Sequence, residues 1–288
     1  MYKRQGAEEG PSELVVSCDG RSPEQVRWAI IGAYLLGYDL VELRARVRMS
    51  SEMKAAVREA VRGLAGLEIV DEDSRHILIS CLIDPSAVVP KTLLARKNAI
   101  TMSMHSDAAT ALATGDRGLA SMVMDRDEEV DRLYFLVVRL LRTAIRDLKL
   151  AEKFGLSPVD CLDYRMAAKL IESIGDHAVD MARLVFKLPE GSSLEAVGGL
   201  LQEASSRLRA VQETAVKAFL ARRPELIGRV KGELSASFEE AVRAVEEEAR
   251  GLGELSHLTL SATYLMGEIA KCCVDIADLV IPAGVELG

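Results

Sequence analysis

The chain has 288 residues, and its 36 basic and 44 acidic side chains give a formal net charge of −8. This acidic balance argues against a free-standing nucleic-acid binder, which usually carries a basic field, so we expect no direct nucleic-acid binding. No apolar segment approaches the roughly 20 residues of a membrane span, and no signal peptide follows the first residues, so we expect neither membrane insertion nor secretion.

Residues 13–88 are typical of a small α+β domain with the order βαβαββ, and residues 1–12 are expected to be disordered. Ser22 and Pro23 match the N-cap and first position of a helix, and Gly37 matches its end. The predicted strands are 14–16, 40–47, 67–71 and 77–82, and the predicted helices are 22–37 and 50–64. In strand 40–47, alternation places Val41, Leu43, Ala45 and Val47 on the apolar face.

Beyond residue 88, strand signals nearly vanish and the sequence predicts a mainly α fold. Six long helices are expected at about 90–114, 117–153, 158–188, 192–221, 224–250 and 254–281. The breaks between them are short and rich in glycine and proline. Short connections between long helices indicate antiparallel neighbours in a bundle.

The six helices are predicted to form a duplicated unit. When residues 166–185 are aligned with residues 261–280, eight of twenty positions are identical. We therefore expect two tandem three-helix bundles, at 89–190 and 191–284.

Two acidic pairs have a spacing of four, Asp127 with Asp131 and Glu172 with Asp176. This spacing places the two carboxylates of each pair on one helical face. The first pair interrupts a seam of apolar residues, whereas solvated acids usually lie opposite the apolar face. Most such pairs only face water, and that interpretation stays open for both.

Gly175 lies in the middle of the second acidic helix, where glycine costs about 1 kcal/mol relative to alanine. Such a glycine usually permits the close approach of another backbone or of a ligand. If the two acidic helices face each other, the four carboxylates converge, and buried negative charges of this kind need a cation. Oxygen ligands favour Mg, Mn, Fe or Ca.

The remaining metal-binding residue types give weaker signals. His105 and His177 are more typical of core or surface positions than of ligands. Glu254 and His257 have the E-x-x-H spacing of di-iron bundles, but such a site needs two of these motifs. The five cysteines form no C-x-x-C pair and are interpreted as buried thiols in a reducing cytosol.

The segments Arg126–Leu133 and Ala168–Ala178 resemble the signature segments of the PhoU family. The resemblance is close over 90–188, and over 192–281 it lies in architecture more than in motif. It implies two three-helix bundles and E(D)-x-x-x-D motifs that bind metal ions, often as iron clusters. Residues 13–88 resemble the α/β segment of archaeal members. Such members often begin with an AbrB-like DNA-binding domain, which we do not expect in this chain.

The resemblance implies that four carboxylates hold a metal ion (Fe, Mn, Mg or Zn), those of Asp127, Asp131, Glu172 and Asp176. In the second repeat, Gly267 and Lys271 stand at the positions of Glu172 and Asp176. We therefore expect one metal site, in the first repeat, and a purely structural second repeat.

The function implied by the resemblance is that of a cytoplasmic, homodimeric regulator and not an enzyme. It would act negatively on phosphate uptake by contact with the ATPase of the phosphate ABC transporter or with a sensor kinase. A metal-free helical scaffold is one alternative. A carboxylate-bridged metal oxidase is another, and the lack of a second E-x-x-H motif in the bundle disfavours it.

Overall fold

The computed structural model describes residues 12–280. The expectations of disorder before Ser12 and of helical residues beyond 280 lie outside this range. The chain divides into two compact units, which we describe separately. The sheet unit comprises residues 12–90 and 135–161, and the bundle unit comprises residues 91–134 and 162–280.

The sheet unit is built on four strands and two helices, in the predicted order βαβαββ. They are β1 (Glu13–Ser17), α1 (Pro23–Leu35), β2 (Leu40–Arg44), α2 (Ser51–Arg62), β3 (Leu67–Glu72) and β4 (His76–Cys81). The strand order is β1-β2-β4-β3; β1 pairs with β2 in parallel, and the other two pairings are antiparallel.

The boundaries of α1 follow from its sequence as predicted. Ser22 accepts a hydrogen bond from the backbone of Gln25, whose side chain bonds back to Ser22, and Pro23 occupies the first turn. Gly37, after the helix, has a φ of +82°, which glycine adopts without strain. Apolar residues of α1 and α2 pack with the sheet in one core, among them Val26, Ile30, Val57, Leu43 and Ile79.

Strand β2 ends three residues earlier than predicted. The backbone N–H of Arg46 donates to the carboxylate of Asp19 at 2.9 Å. Because this donor is used by a side chain, the backbone hydrogen bonds between the strands do not continue here. Val47, predicted to point into the core, is consequently 71% exposed. The prediction of a strand through Val47 was wrong because this side-chain contact joins residues 27 positions apart.

Residues 135–161 belong to the sheet unit, although we predicted an α+β domain ending at residue 88. Arg139 is almost fully buried there. Its guanidinium donates to the carbonyl oxygens of Tyr34 and Tyr38, at 2.9 and 2.8 Å, and to a carboxylate oxygen of Asp39 at 3.1 Å. The division into compact units also draws no boundary near residue 190, so the predicted domain limits 89–190 and 191–284 stay predictions.

The long helices follow after Pro90. They are α3 (Pro90–Thr114), α4 (Arg117–Arg146), α5 (Leu148–Phe154), α6 (Pro158–Leu184), α7 (Glu195–Ala221), α8 (Ile227–Glu233), α9 (Glu239–Ala249) and α10 (Ser256–Asp278). This mainly helical architecture confirms the predicted fold class. None of the helices described between residues 12 and 280 has the length and apolar character that a membrane span requires.

Two of the predicted long helices are interrupted. Asp147 is extended, and its carboxylate accepts hydrogen bonds from the backbone of Lys149 and Leu150, so it ends α4 and caps α5. The helix expected at 224–250 instead begins with a 3-10 turn and contains a π-helical turn, Leu234–Phe238, between α8 and α9. The helix expected from residue 192 starts at Glu195.

In the bundle unit, a buried polar network joins α3 to α7. The side-chain amide of Gln212 donates to Asn98 at 2.8 Å and to Thr101 at 3.0 Å. Its carbonyl oxygen therefore accepts from Nε2 of His105 at 3.1 Å, and Ser205 lies 3.5 Å from the other ring nitrogen. Burial lowers the pKa of His105 to about 4, so this histidine is neutral and hydrogen-bonded, as predicted.

Candidate functional site

Helices α4 and α6 lie side by side in the bundle unit and bring the two acidic pairs together. Gly175 of α6 is buried at this contact. A Cβ atom there would lie 3.3 Å from Val130 and 3.6 Å from Oδ1 of Asp127. Helix α3 lies against the same glycine, since Thr101 would be 3.5 Å away. The interior glycine thus permits close approach of neighbouring helices, as the sequence predicts.

The four carboxylates lie near enough to one another to disfavour their charged forms. Partial burial, together with repulsion from the other three, raises the pKa of Asp127 to about 6. The same two causes raise the pKa of Asp131, where Glu172 is the largest source of repulsion. Asp176 is exposed, yet partial desolvation of its carboxylate and repulsion from Glu172 raise its pKa as well. The cluster is therefore a concentration of negative charge in which the carboxylates repel one another.

Two features of the cluster fit a bound cation. Oδ1 of Asp127 is buried and has no hydrogen-bond partner among the described residues. This oxygen is therefore available to coordinate a cation. Carboxylate oxygens are also the ligand type that hard cations prefer.

The carboxylates are nevertheless not arranged as a preformed coordination shell. Within residues 12–280, no group of three or more His, Cys, Asp or Glu side chains is already positioned to hold a metal ion. Glu172 instead forms an ion pair with Lys169, one turn earlier on α6. Metal binding here requires side-chain rotation, with Glu172 leaving Lys169, and the metal assignment stays a prediction.

Sequence reasoning missed the buried Lys97 of α3, which has no exposed surface. Its Nζ donates to the carbonyl oxygen of Ala168 on α6 at 2.9 Å and lies 4.7 Å from the ring centroid of Tyr134 on α4. Burial lowers the pKa of Lys97 to about 7, while the charges of Glu172 and Asp131 oppose this shift. The amine therefore lies beside the acidic cluster.

A signal for Lys97 was present in the sequence. It occupies a regular stripe of buried positions on α3, spaced alternately by three and four residues: Leu94, Lys97, Thr101, Met104 and Ala108. A lysine inside such a stripe is rarely solvated, so its position alone predicts a buried amine that needs an acidic neighbour.

The second repeat has no comparable cluster at the equivalent positions. Gly267 and Lys271 line a groove of about 560 Å³ between the α9 region and α10, with apolar walls that include Phe238 and Val274. Lys271 pairs with Glu268, the acid displaced by one position. The E-x-x-H segment is also unlike a metal site, because His257 is exposed and Nδ1 contacts the backbone oxygen of Glu254.

Of the five cysteines, all are free. Four are buried, as predicted, namely Cys18, Cys161, Cys272 and Cys273, whereas Cys81 is only partly buried. His177, beside Asp176, is also partly buried.

The raised pKa of Asp127 predicts a pH-dependent effect of Asp127→Asn in metal-free protein. The shift from 3.8 to about 6 corresponds to at most about 3 kcal/mol, and water around the half-exposed carboxylate reduces the expected effect to about 1 kcal/mol. The native state carries this penalty above pH 6 and loses it as the pH falls toward 3.8. Urea denaturation should therefore show the variant more stable at pH 7.5 and equal to the natural chain near pH 4.

The control for this prediction is Asp125→Asn, which removes an exposed acid from the same helix. It should leave the free energy of unfolding unchanged within about 0.5 kcal/mol. The titration of His105 affects all three proteins alike and cancels in the difference. Equal stability of the natural chain and Asp127→Asn at pH 7.5 would contradict the electrostatic description of the cluster.

Comparison with known proteins supports the resemblance found in the sequence. The family model described as "PhoU domain" matches residues 95–185, which include all four carboxylates. The Phosphate-specific transport system accessory protein PhoU homolog of Rhizobium meliloti (strain 1021) is 23% identical over 156 residues. That alignment covers 53% of this chain and 63% of the relative, so the chain spans less than two thirds of the relative's length.

The fold is also shared with a solved structure. The crystal structure of the phosphate transport system regulatory protein PhoU from Streptococcus pneumoniae matches with a TM-score of 0.54 at 15% sequence identity. The match covers 67% of this chain and 92% of that chain. The predicted resemblance to the PhoU family is confirmed.

Proposed function

We propose that the chain is a non-enzymatic, metal-binding regulator of phosphate uptake, on the basis of its match to the PhoU domain model. The observation that carries this proposal is the position of the domain match, because residues 95–185 enclose both acidic pairs and the glycine between them. The regulator acts negatively on the phosphate ABC transporter, through contact with its ATPase subunit or with a sensor kinase. It works in the cytoplasm as a homodimer.

The metal site of this proposal consists of Asp127 and Asp131 on α4 and Glu172 and Asp176 on α6. Its support is the raised pKa of three of these carboxylates and the buried free oxygen of Asp127. A bound cation supplies the positive charge that relieves their mutual repulsion. Carboxylates from α4 and α6 would share this cation, so occupancy affects the rigidity of the bundle surface that a partner would contact.

The proposed partners can be tested by affinity purification from native lysate of cells grown in high and in low phosphate. We expect the chain to recover a phosphate-transporter ATPase or a sensor kinase, in amounts that depend on phosphate. A matched sample in which Asp127 and Glu172 are replaced by alanine shows whether recovery depends on the acidic cluster. Recovery of neither partner in either condition would contradict the regulator proposal and favour the metal-free scaffold.

A further inference from the structure

The groove between the α9 region and α10, in the second repeat, is lined largely by apolar side chains. Its volume of about 560 Å³ is bounded on both sides by residues such as Leu234, Phe238, Val242 and Val274. Phe238 is buried, whereas Tyr264, which also lines the groove, is 66% exposed. The groove therefore runs from the bundle core to the surface, and its volume lies in the range of about 300–1,000 Å³ that ligand pockets have.

Gly267 leaves the α10 side of this groove without a side chain. It lies in the interior of α10, where glycine costs about 1 kcal/mol relative to alanine. A Cβ atom at Gly267 would meet nothing within 4 Å, in contrast to Gly175 of the first repeat. No close contact within residues 12–280 thus requires a glycine here, and the space beside it is open to a group from outside.

The groove is long enough to receive a helix. Its lining residues on α10 run from Thr263 to Asp275, which is roughly 18 Å at 1.5 Å per residue. An amphipathic helix that presents apolar residues at positions i, i+3, i+4 and i+7 needs about 10 Å of this length. Two helical walls around an apolar interior are the setting in which such helices bind.

The charge around the groove is acidic. Helix α9 has five glutamates and one arginine. The lining has four acidic and two basic side chains, a net charge of −2, and one of the two bases, Lys271, is already paired with Glu268 at 2.5 Å. An apolar groove in a negative field attracts a partner whose apolar face is flanked by lysine or arginine. The charged lining residues are Glu239, Arg243, Glu246, Glu268, Lys271 and Asp275.

We propose that this groove is a docking site for a basic amphipathic helix of a partner protein. The inference rests on the proposed function, in which the chain acts by contact with another protein, and it adds the contact surface. The groove lies outside the acidic cluster of the first repeat. It gives a binding role to the second repeat, which the sequence predicted to be purely structural.

The test uses two synthetic, fluorescently labelled helical peptides of about 18 residues, long enough to form helix in isolation. Both carry leucine at positions i, i+3, i+4 and i+7, and the flanking residues are lysine in one peptide and glutamate in the other. The full-length natural chain should bind the lysine peptide at least about tenfold more tightly. This preference should shrink between about 0.05 and 0.5 M salt.

Gly267→Leu shows whether the peptide binds in the groove. The leucine side chain enters open space and replaces glycine by a better helix former, so the variant should fold. It should weaken binding of the lysine peptide by about tenfold or more, because it occupies the place of the partner helix. The matched control is Gly199→Leu, at an exposed glycine of α7 that also has nothing within 4 Å, and it should bind as the natural chain does.

Failure of the lysine peptide to bind, or equal binding of the two peptides, would overturn the docking assignment. Equal affinity of Gly267→Leu and the natural chain would overturn it too. A change from dimer to monomer in Gly267→Leu, seen by sedimentation, would assign the groove to a second copy of the chain instead. The proposed function is judged separately, because affinity purification of the natural chain recovers an ATPase or kinase, or fails to, whatever the peptides do.

Discussion

Replacing Asp127 and Glu172 together by alanine is expected to weaken metal binding by at least about 100-fold, which removes it at ordinary concentrations. The double variant loses one carboxylate from α4 and one from α6, including the buried free oxygen of Asp127. Asp131 and Asp176 then remain as isolated single ligands on separate helices. Elemental analysis and Mn²⁺ titration of the purified protein measure the effect.

The matched control for this variant is Asp125→Ala with Glu128→Ala. Both acids are exposed on α4, so the control removes the same charge without touching the cluster. It should bind metal as the natural chain does. The metal-free double variant should also be no less stable than the natural chain, because two repelling carboxylates are gone, so unfolding cannot explain a loss of binding. Unchanged metal content in Asp127→Ala/Glu172→Ala would end the site assignment.

Replacing Gln212 by leucine is expected to destabilise the chain by about 3 kcal/mol or more. Leucine has a similar size, but it cannot bond to His105, Asn98 or Thr101, which stay buried. Each buried polar group left without a partner costs about 1–3 kcal/mol. Urea denaturation should show a lower midpoint with an unchanged slope.

Gln202→Leu is the control, because Gln202 is exposed on the same helix α7. Its free energy of unfolding should stay within about 0.5 kcal/mol of that of the natural chain. If the two glutamine variants were equally stable, the hydrogen-bonded network would have no measurable role in stability.

Local signals in the sequence were sufficient for most of the fold. The cap at Ser22, the glycine at Gly37 and the periodic apolar positions predicted the elements of the sheet unit, because these effects act within a few residues. Val47 was placed wrongly because a distant carboxylate, that of Asp19, ends the strand. Asp147 has a local role as an N-cap, but an apolar periodicity that continues past it concealed the break.

The candidate site was only partly predictable, because part of it depends on contacts between residues that are distant in the sequence. Spacing alone placed each acidic pair on one helical face, and Gly175 indicated where the two faces meet. Lys97 and Tyr134 come from other parts of the chain, so their presence beside the carboxylates depends on how three helices pack. The ion pair between Lys169 and Glu172 depends on side-chain rotamers, which sequence spacing permits without requiring.

The buried network between α3 and α7 also bears on how this chain avoids misfolding. Its long helices are alike in composition, so many pairings would bury similar apolar area. A slip of α7 by one turn, about 5.4 Å, would retain contacts between leucine and alanine side chains. It would separate Gln212 from Asn98, Thr101 and His105 and break all three of its hydrogen bonds to them in a buried place. The network therefore specifies the register of the helices: it makes wrongly registered pairs less stable, whereas apolar contacts alone would not distinguish them.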